Sequence, residues 1–144
     1  MFTRRQTSQS SPYRYITLSF GPADDAGAAA NNKELLRFVL PFKARFVKAI
    51  AISPNVTGEA CKINVFDATG TGAAMTADSA AMADGTAVTV EANATYGAAT
   101  KWLDAGTVIT LRAKTDAETG EITDLTALFI FESYHGVCGR TNDF

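Results

Sequence analysis

The stretch LRFVLPFKARFVKAI, residues 36–50, decides the fold class, because it fits either one helix or two strands. Four apolar residues recur at every fourth position, as they would on one face of a helix: Phe38, Phe42, Phe46 and Ile50. Pro41 lies in the middle, and a proline inside a helix removes a hydrogen bond and clashes with the preceding turn, costing about 3 kcal/mol or more. It also drives Leu40 away from helical backbone angles. One helix across the whole stretch is therefore disfavoured.

A short helix beginning at Pro41 stays open, since proline is favoured in the first turn of a helix. Against it, the residues that follow are mostly β-branched or aromatic, and Ser53-Pro54 ends the run. We therefore predict two strands, Leu35–Leu40 and Ala44–Ile52, joined by a corner at Pro41-Phe42-Lys43.

Short apolar runs separated by turns rich in Gly and Asp continue along the rest of the chain. They predict further strands at Tyr13–Gly21, Ala60–Asp67, residues 86–92, Thr107–Ala113 and Ile122–Ser133. The Ala-rich segment, residues 68–86, is either a short helix around Ala73–Met82 or a long loop over the sheet. Roughly seven strands without long helices between them predict an all-β fold, a single antiparallel β-sandwich of jelly-roll or Greek-key type.

The same pattern divides the chain into three regions. Residues 13–133 form the predicted β-sandwich domain. Residues 1–12 are interpreted as a flexible N-terminal arm, rich in Ser, Thr and Gln and carrying Arg4 and Arg5, and residues 134–144 as a C-terminal tail. Such an arm is either a disordered terminus or a tether that docks on a neighbouring subunit.

Composition argues against several classes of function. The chain has 144 residues, 47% of them hydrophobic and 19% charged, as expected of a globular domain that buries its own core. A net charge of −2 argues against a protein that coats nucleic acid. No apolar run reaches the ~20 residues of a membrane span, and the first residues lack the apolar region of a secretory signal. We therefore expect no nucleic-acid or membrane partner.

The sequence contains no recognisable catalytic or metal-binding pattern. Its single histidine, His135, lies three residues from Cys138, without a glycine-flanked nucleophile or enough ligands for zinc. The acidic residues fall mostly in predicted turns, where they serve turn formation and solubility. Cys61 and Cys138 are interpreted as free thiols, with one long-range disulfide left open. We predict a protein that is not an enzyme and holds no cofactor or metal.

Two stretches offer candidate interaction surfaces. In LTALFIF, residues 125–131, alternate residues form an apolar core face, while Leu128 and Ile130 make the opposite face apolar as well. That second face is covered either by the Ala-rich segment of the same chain or by another subunit. In the opening stretch, basic residues either flank a sheet corner or form a docking patch for an acidic protein surface: Arg37, Lys43, Arg45 and Lys48.

The order of these features resembles a known family. The chain resembles jelly-roll head-decoration (cement) proteins of tailed bacteriophages over about residues 33–132. The likeness lies in the order of an arm, the stretch FVLPFKARFVKAIAI, short strands between Ala/Gly/Thr-rich loops, the stretch AGTVITLRA and a final LTALFIFE. The resemblance implies a non-enzymatic virion protein, made in the host cytoplasm, that binds the outer capsid surface and stabilises capsomer junctions. It implies two partners, the major capsid protein and copies of the protein itself, often as a trimer. It also implies an arm that reaches along the shell or into a neighbour.

The candidate interface residues come from the arm, the corner and the last strand: Arg4, Arg5, Phe42, Lys43, Arg45, Lys48, Leu128 and Ile130. We expect the arm and the Phe42–Lys48 corner to contact the shell. An alternative is a carbohydrate-binding or tail-fibre (adhesin) module, which would present exposed aromatic residues as a platform for sugars. Its candidate residues are Trp102, Tyr96, Tyr13 and Tyr15.

Overall fold

Ten β-strands make up the regular structure in the described parts of a computed structural model, which are residues 13–23, 33–57, 61–70, 72–115 and 120–134. The strands are β1 (Tyr13–Ala23), β2 (Lys33–Val39), β3 (Ala44–Ile52), β4 (Asn55–Thr57), β5 (Cys61–Asp67), β6 (Ala73–Ala74), β7 (Val88–Glu91), β8 (Val108–Thr115), β9 (Glu121–Thr123) and β10 (Leu125–Tyr134). Among these residues, none forms a helix of the length and apolarity that a membrane span requires. The predicted all-β class is confirmed.

Two four-stranded antiparallel sheets form the sandwich. Sheet A has the strand order β1-β10-β3-β7 and sheet B the order β2-β8-β5-β6, while β4 and β9 form a separate two-stranded sheet. The pairing is nested, because β1 pairs with β10, β2 with β8, β3 with β7 and β5 with β6. Successive pairs fall in alternate sheets, as in a long hairpin wound into two layers, which is the jelly-roll arrangement. The predicted jelly-roll sandwich is confirmed.

Aromatic rings from both sheets meet in the core between them. Phe38 of β2 stacks on Phe20 of β1 with ring centroids 4.5 Å apart, and it meets Phe129 of β10 edge-on at 4.9 Å. Phe131 contacts Phe46 at 5.7 Å, which extends the cluster along sheet A. Such offset and edge-on pairs add to the stabilisation that burial of the rings provides. The apolar side of each alternating strand therefore holds the two layers together.

The opening stretch forms two strands and a corner, as predicted. β3 has the predicted bounds, and β2 ends one residue before Leu40. The Leu40 amide donates to the Thr107 carbonyl at 2.8 Å, and the Ala44 amide donates to the Leu103 carbonyl at 3.0 Å. Both sides of the corner are thus fixed to the chain that enters β8. Pro41 has no amide hydrogen to donate, so the chain turns there without losing a sheet hydrogen bond.

The described residues of the Ala-rich segment form a loop and not a helix, but the loop runs beside β5 at the edge of sheet B and not over a sheet. Only β6 within it pairs as a strand. Further along, the Thr76 hydroxyl accepts a hydrogen bond from the Val65 amide at 3.1 Å, and the Ser79 hydroxyl accepts one from the Ile63 amide at 3.0 Å. These hydroxyls take the place of strand carbonyls and close an edge that would otherwise offer unpaired backbone groups.

The last predicted strand, Ile122–Ser133, is wrong as a single strand. Asp124 has a φ of 57°, in the left-handed region, and it separates β9 from β10. An aspartate tolerates this conformation because its short polar side chain can bond locally. β9 then pairs with β4, a short polar strand that the sequence did not indicate, while β10 enters the middle of sheet A.

Candidate protein-interaction face

The outward side of sheet A carries apolar residues where an antiparallel sheet usually presents polar ones to water. Leu128 pairs in register with Ile50, and both point away from the core that Phe129 enters. Ile52, on the same side of β3, is 39% exposed, and the others are half-buried. We refer to four residues as the apolar face: Ile50, Ile52, Leu128 and Ile130.

One end of this outward side is charged. Tyr15, Glu132 and Arg45 lie in one row across β1, β10 and β3. Arg45 forms an ion pair with Glu132, and its guanidinium lies 5.3 Å from the centroid of the Trp102 ring. The next row holds an oppositely charged register pair, which completes the group that we name the charged end: Arg45, Lys48, Glu91 and Glu132.

The corner and both ends of the described domain adjoin this charged end. Ala44, the first residue after the corner, pairs with Ser133. Tyr13 pairs with Tyr134 on the other side of β10. Residues 1–12 and 135–144 therefore join the domain at this one end of sheet A.

The fold brings together half of the predicted interface residues. Four of them lie on the outward side of sheet A: Arg45, Lys48, Leu128 and Ile130. Phe42 is half-buried against the core, with its ring centroid 6.4 Å from that of Phe131, whereas Lys43 is exposed at the corner. Arg4 and Arg5 lie outside the described residues.

Arg37 lies apart from the other basic residues of the opening stretch. It is on β2 of sheet B, where its guanidinium forms an ion pair with Glu34 at 2.7 Å. This contact raises the pKa of Arg37 and lowers the pKa of Glu34. The four basic residues therefore do not form a single patch, because β2 and β3 belong to different sheets.

The Ala-rich segment does not supply the cover that one interpretation gave it. Its hydrogen bonds run mainly along β5 of sheet B. Its contacts with sheet A lie at the ends of strands, at Ser53 after β3 and at Ala92 and Asn93 after β7. The interpretation in which it buries Leu128 and Ile130 within the chain is therefore wrong. Contact with another subunit, the second interpretation of this face, stays a prediction.

Sequence reasoning missed four of the eight residues that make up the apolar face and the charged end. A signal existed for Ile50 and Ile52, since the run AIAI at residues 49–52 is apolar at every position and so makes both strand faces apolar. No signal existed for Glu91 and Glu132, because only the strand register places them beside basic residues.

Sheet B presents charged residues at the centre of its outward side, on β5 and β8. Lys62 and Lys114 are register partners on neighbouring strands. Asp78 accepts a hydrogen bond from the Lys114 ammonium at 2.9 Å and from the Asn64 amide at 2.8 Å. These two donors, Lys114 first, lower the pKa of the Asp78 carboxyl. The Ala-rich segment is thus attached to a polar surface by charge-assisted hydrogen bonds.

The aromatic residues proposed as a sugar platform do not form one. Tyr96 is buried, and its hydroxyl donates to the Asp67 carboxylate at 3.1 Å. Burial, and then the Asp67 charge, raise the pKa of Tyr96 to about 12. Trp102 is half-buried and has the Arg45 guanidinium over its ring. Of the described aromatic side chains in this set, Tyr15 at 67% is the exposed one.

Among the residues that the structure describes, cysteine and histidine form no catalytic or metal-binding group. Cys61 is buried at the start of β5, with its sulfur 3.8 Å from the Thr57 carbonyl oxygen. His135 and Cys138 lie outside the described residues, so the thiol state of Cys138 stays a prediction. No group of three potential metal ligands occurs among the residues that the structure describes.

The nested strand pairing places the chain in the jelly-roll class, which includes viral capsid and lectin domains. Among solved structures, a chain from the capsid of Ralstonia phage GP4 matches with a TM-score of 0.52 and 21% sequence identity, over 84% of this chain and 84% of that chain. The two chains are therefore of about equal length. The expected resemblance to jelly-roll proteins of phage capsids is confirmed at the level of the fold.

Other matches have TM-scores below 0.5 and carry no functional argument. A capsid chain of Helicobacter pylori bacteriophage KHP30 aligns with a TM-score of 0.40 and 12% identity, over 86% of this chain and 94% of that one. A serine protease of Aeromonas sobria aligns with a TM-score of 0.41 and 8% identity, over 83% of this chain but only 26% of the protease. No protein-family model matches the sequence, and a search of curated proteins gives no match.

Proposed function

We propose that this protein is a structural virion protein, a capsid decoration (cement) subunit that binds the outer surface of a phage head and stabilises capsomer junctions. The observation that carries the proposal is the fold match to an equally long chain of a phage capsid, over 84% of both chains. Its partners would be the major capsid protein and further copies of itself. The trimer that the family resemblance implies belongs to the proposal and is checked by the mass of the protein in solution.

The end of the domain with the corner is the proposed contact with the shell. Lys43 is exposed there, and the segment that carries Arg4 and Arg5 joins the domain at the same end. Basic side chains suit an acidic protein surface, because complementary charge speeds encounter and fixes orientation. A terminal segment extends such a contact, at the cost of the free energy needed to order it on binding.

Repetition over a lattice allows weak individual contacts to hold the subunit in place. Each bound copy that also touches a neighbour raises the effective concentration of the remaining contacts. Bound copies favour the assembled shell over separated capsomers by mass action, since they bind only the assembled form. The protein acts in this proposal by binding alone, without a catalytic step.

Deleting residues 1–12 tests the contact with the shell. Particles assembled from the major capsid protein encoded alongside this chain are mixed with the full or the truncated protein, and the bound protein is quantified after sedimentation. We expect the truncated protein to bind about tenfold more weakly, a loss of about 1.4 kcal/mol, because the arm's charged contacts are gone.

Two single substitutions complete that experiment. Lys43→Glu reverses the exposed charge at the corner and is expected to weaken binding as well. Arg37→Gln changes a basic residue that lies on the other sheet, where it pairs with Glu34, and it is expected to bind like the full protein. Undiminished binding of both the truncated protein and Lys43→Glu would show that the shell contact lies elsewhere on the domain.

A further inference from the structure

Within the described part of the chain, the outward sides of the two sheets differ in composition. Sheet B presents lysines in neighbouring strands, as expected of a surface in water. Sheet A presents the apolar face, in which Ile52 is 39% exposed and which the Ala-rich segment does not cover. Contiguous apolar surface of this kind marks a contact with a partner.

The charged end indicates what kind of partner this is. It contains two basic and two acidic residues, Arg45 and Lys48 with Glu91 and Glu132, so it carries no net charge. A purely acidic partner would leave the two carboxylates facing like charge, which costs affinity. A partner with both signs in the same arrangement would present an opposite charge to both Arg45 and Glu132. A second copy of this chain has that arrangement by definition.

We propose that the outward side of sheet A packs against the same side of a second copy, around a two-fold axis that runs parallel to the strands between β10 and β3. Such an isologous contact requires a surface that is complementary to itself. Two sheets that pack face to face keep their strands nearly aligned and lie about 10 Å apart. The proposal does not depend on the virion role, because it concerns the isolated protein.

The register of sheet A fits this axis, because rotation about it places β10 of one copy over β3 of the other. Leu128 then meets Ile50 of the second copy, since these two residues share a row within each chain. Glu132 likewise meets Arg45 of the second copy, because they share the row nearest the corner. Leu128 and Ile50 thus cover each other, and the opposite charges of Glu132 and Arg45 face each other. In the row beyond them, Ile52 meets Thr126 of the second copy.

The other face-to-face two-fold axis, running across the strands, is disfavoured. It would turn one copy end over end and place the charged end of each copy on the apolar face of the other. Burying those charges without partners would cost more than the apolar contact gains. The separation of apolar and charged residues along sheet A therefore selects the axis parallel to the strands.

The existing ion pair is compatible with the contact. Arg45 presents five N–H donors in a planar fork, so it can bind Glu132 of its own chain and Glu132 of the second copy together. Its stacking over Trp102 holds the guanidinium in place before association. Lys48, opposite Ile130 of the second copy, would cover that residue with its aliphatic stem, and its ammonium would face water near Glu91, its register partner on β7.

Leu128→Lys tests the proposed contact. The mass of the protein is measured by light scattering during gel filtration, over a range of protein concentrations. We expect the wild type to contain an even number of copies and Leu128→Lys to have half that mass, because a charge then lies in the middle of the apolar contact. Val39→Lys is the matched control, since Val39 is an apolar residue that is 57% exposed on sheet B. It should keep the wild-type mass.

A mass that Leu128→Lys reduces by half is expected both for a dimer and for two trimers joined by the two-fold contact. A wild-type protein that stays monomeric at every concentration would overturn the proposal. So would a mass that is unchanged by Leu128→Lys, or one that falls threefold, which would indicate a cyclic contact instead. Circular dichroism of each variant shows that the sandwich is intact, and a variant that fails this check is replaced by Ile50→Lys.

Exchange of the charges at Arg45 and Glu132 tests whether the partner on sheet A is a second copy of this chain. Arg45→Glu leaves two acidic residues in the row nearest the corner, and Glu132→Arg leaves two basic residues there. Each variant alone should associate at least about tenfold more weakly than the wild type, because like charges then face each other. An equimolar mixture should recover the wild-type mass as a mixed pair. A mixture that associates no better than the separate variants would refute the pairing across the axis.

Discussion

Arg45 shows what a single residue's surroundings add to its sequence context. Its place in a basic, aromatic stretch indicated a docking residue, and the structure puts it beside Glu132 and over the Trp102 ring. Neither partner is near it in the sequence, so no local pattern could have predicted the contact. The corner at Pro41 could be predicted, because proline restricts its own backbone and that of the preceding residue.

Tyr96 makes the free energy of unfolding depend on pH in the alkaline range. Its pKa is about 12 in the folded protein and 10.0 in the absence of perturbation. Between these two values the unfolded chain loses a proton that the folded protein keeps, so the free energy of unfolding falls as the pH rises through this window. Below about pH 10 both states are protonated, and this loss disappears.

The substitution Tyr96→Phe is expected to reduce that alkaline loss of stability, as measured by urea unfolding at a series of pH values. At neutral pH it should cost about 1 kcal/mol, because the hydrogen bond to Asp67 is lost. Tyr15→Phe, at an exposed tyrosine, is the control for the removal of a hydroxyl. Equal pH dependence in Tyr96→Phe and the wild type would contradict the proposed role of Tyr96.

At the scale of elements, apolar patterning predicted the strands that contribute to the core. β3 has its predicted bounds because its ends are marked by the corner and by Ser53-Pro54. β4 and β6 were missed, since each has two or three residues and no apolar alternation, and β9 was predicted only as the beginning of the last strand. The break at Asp124 was missed because its left-handed backbone has no signature in the sequence.

The loop beside β5 is an element whose stability rests on side-chain hydroxyls. Thr76→Val and Ser79→Ala each leave a buried amide of β5 without its acceptor, and each should cost about 1–3 kcal/mol of unfolding free energy. Thr86→Val is the control, because its hydroxyl is exposed and makes only a 3.5 Å contact. Urea unfolding measures all three. Losses as small as that of Thr86→Val would show that β5 does not depend on these hydroxyls.

At the scale of the whole molecule, the sequence predicted the sandwich but not the composition of its two outward sides. Nested pairing brings β10 between β1 and β3, and this neighbourhood makes one side of sheet A apolar at one end and charged at the other. Strand order depends on contacts between distant parts of the chain, which patterning within one strand does not encode. The apolar second side of β10 was visible in LTALFIF, whereas the position of Ile50 and Arg45 beside β10 required the register.

The most direct measurement of the proposed function is the number of copies that bind to assembled capsids. Purified full-length protein is added in increasing amounts to undecorated particles of the major capsid protein encoded alongside it, and the copies per particle are counted after sedimentation. We predict saturation at a fixed whole-number ratio to the capsomer junctions, together with a higher temperature of particle disruption. Absence of binding, or binding that rises without saturating at a lattice ratio, would contradict a role as a capsid decoration protein.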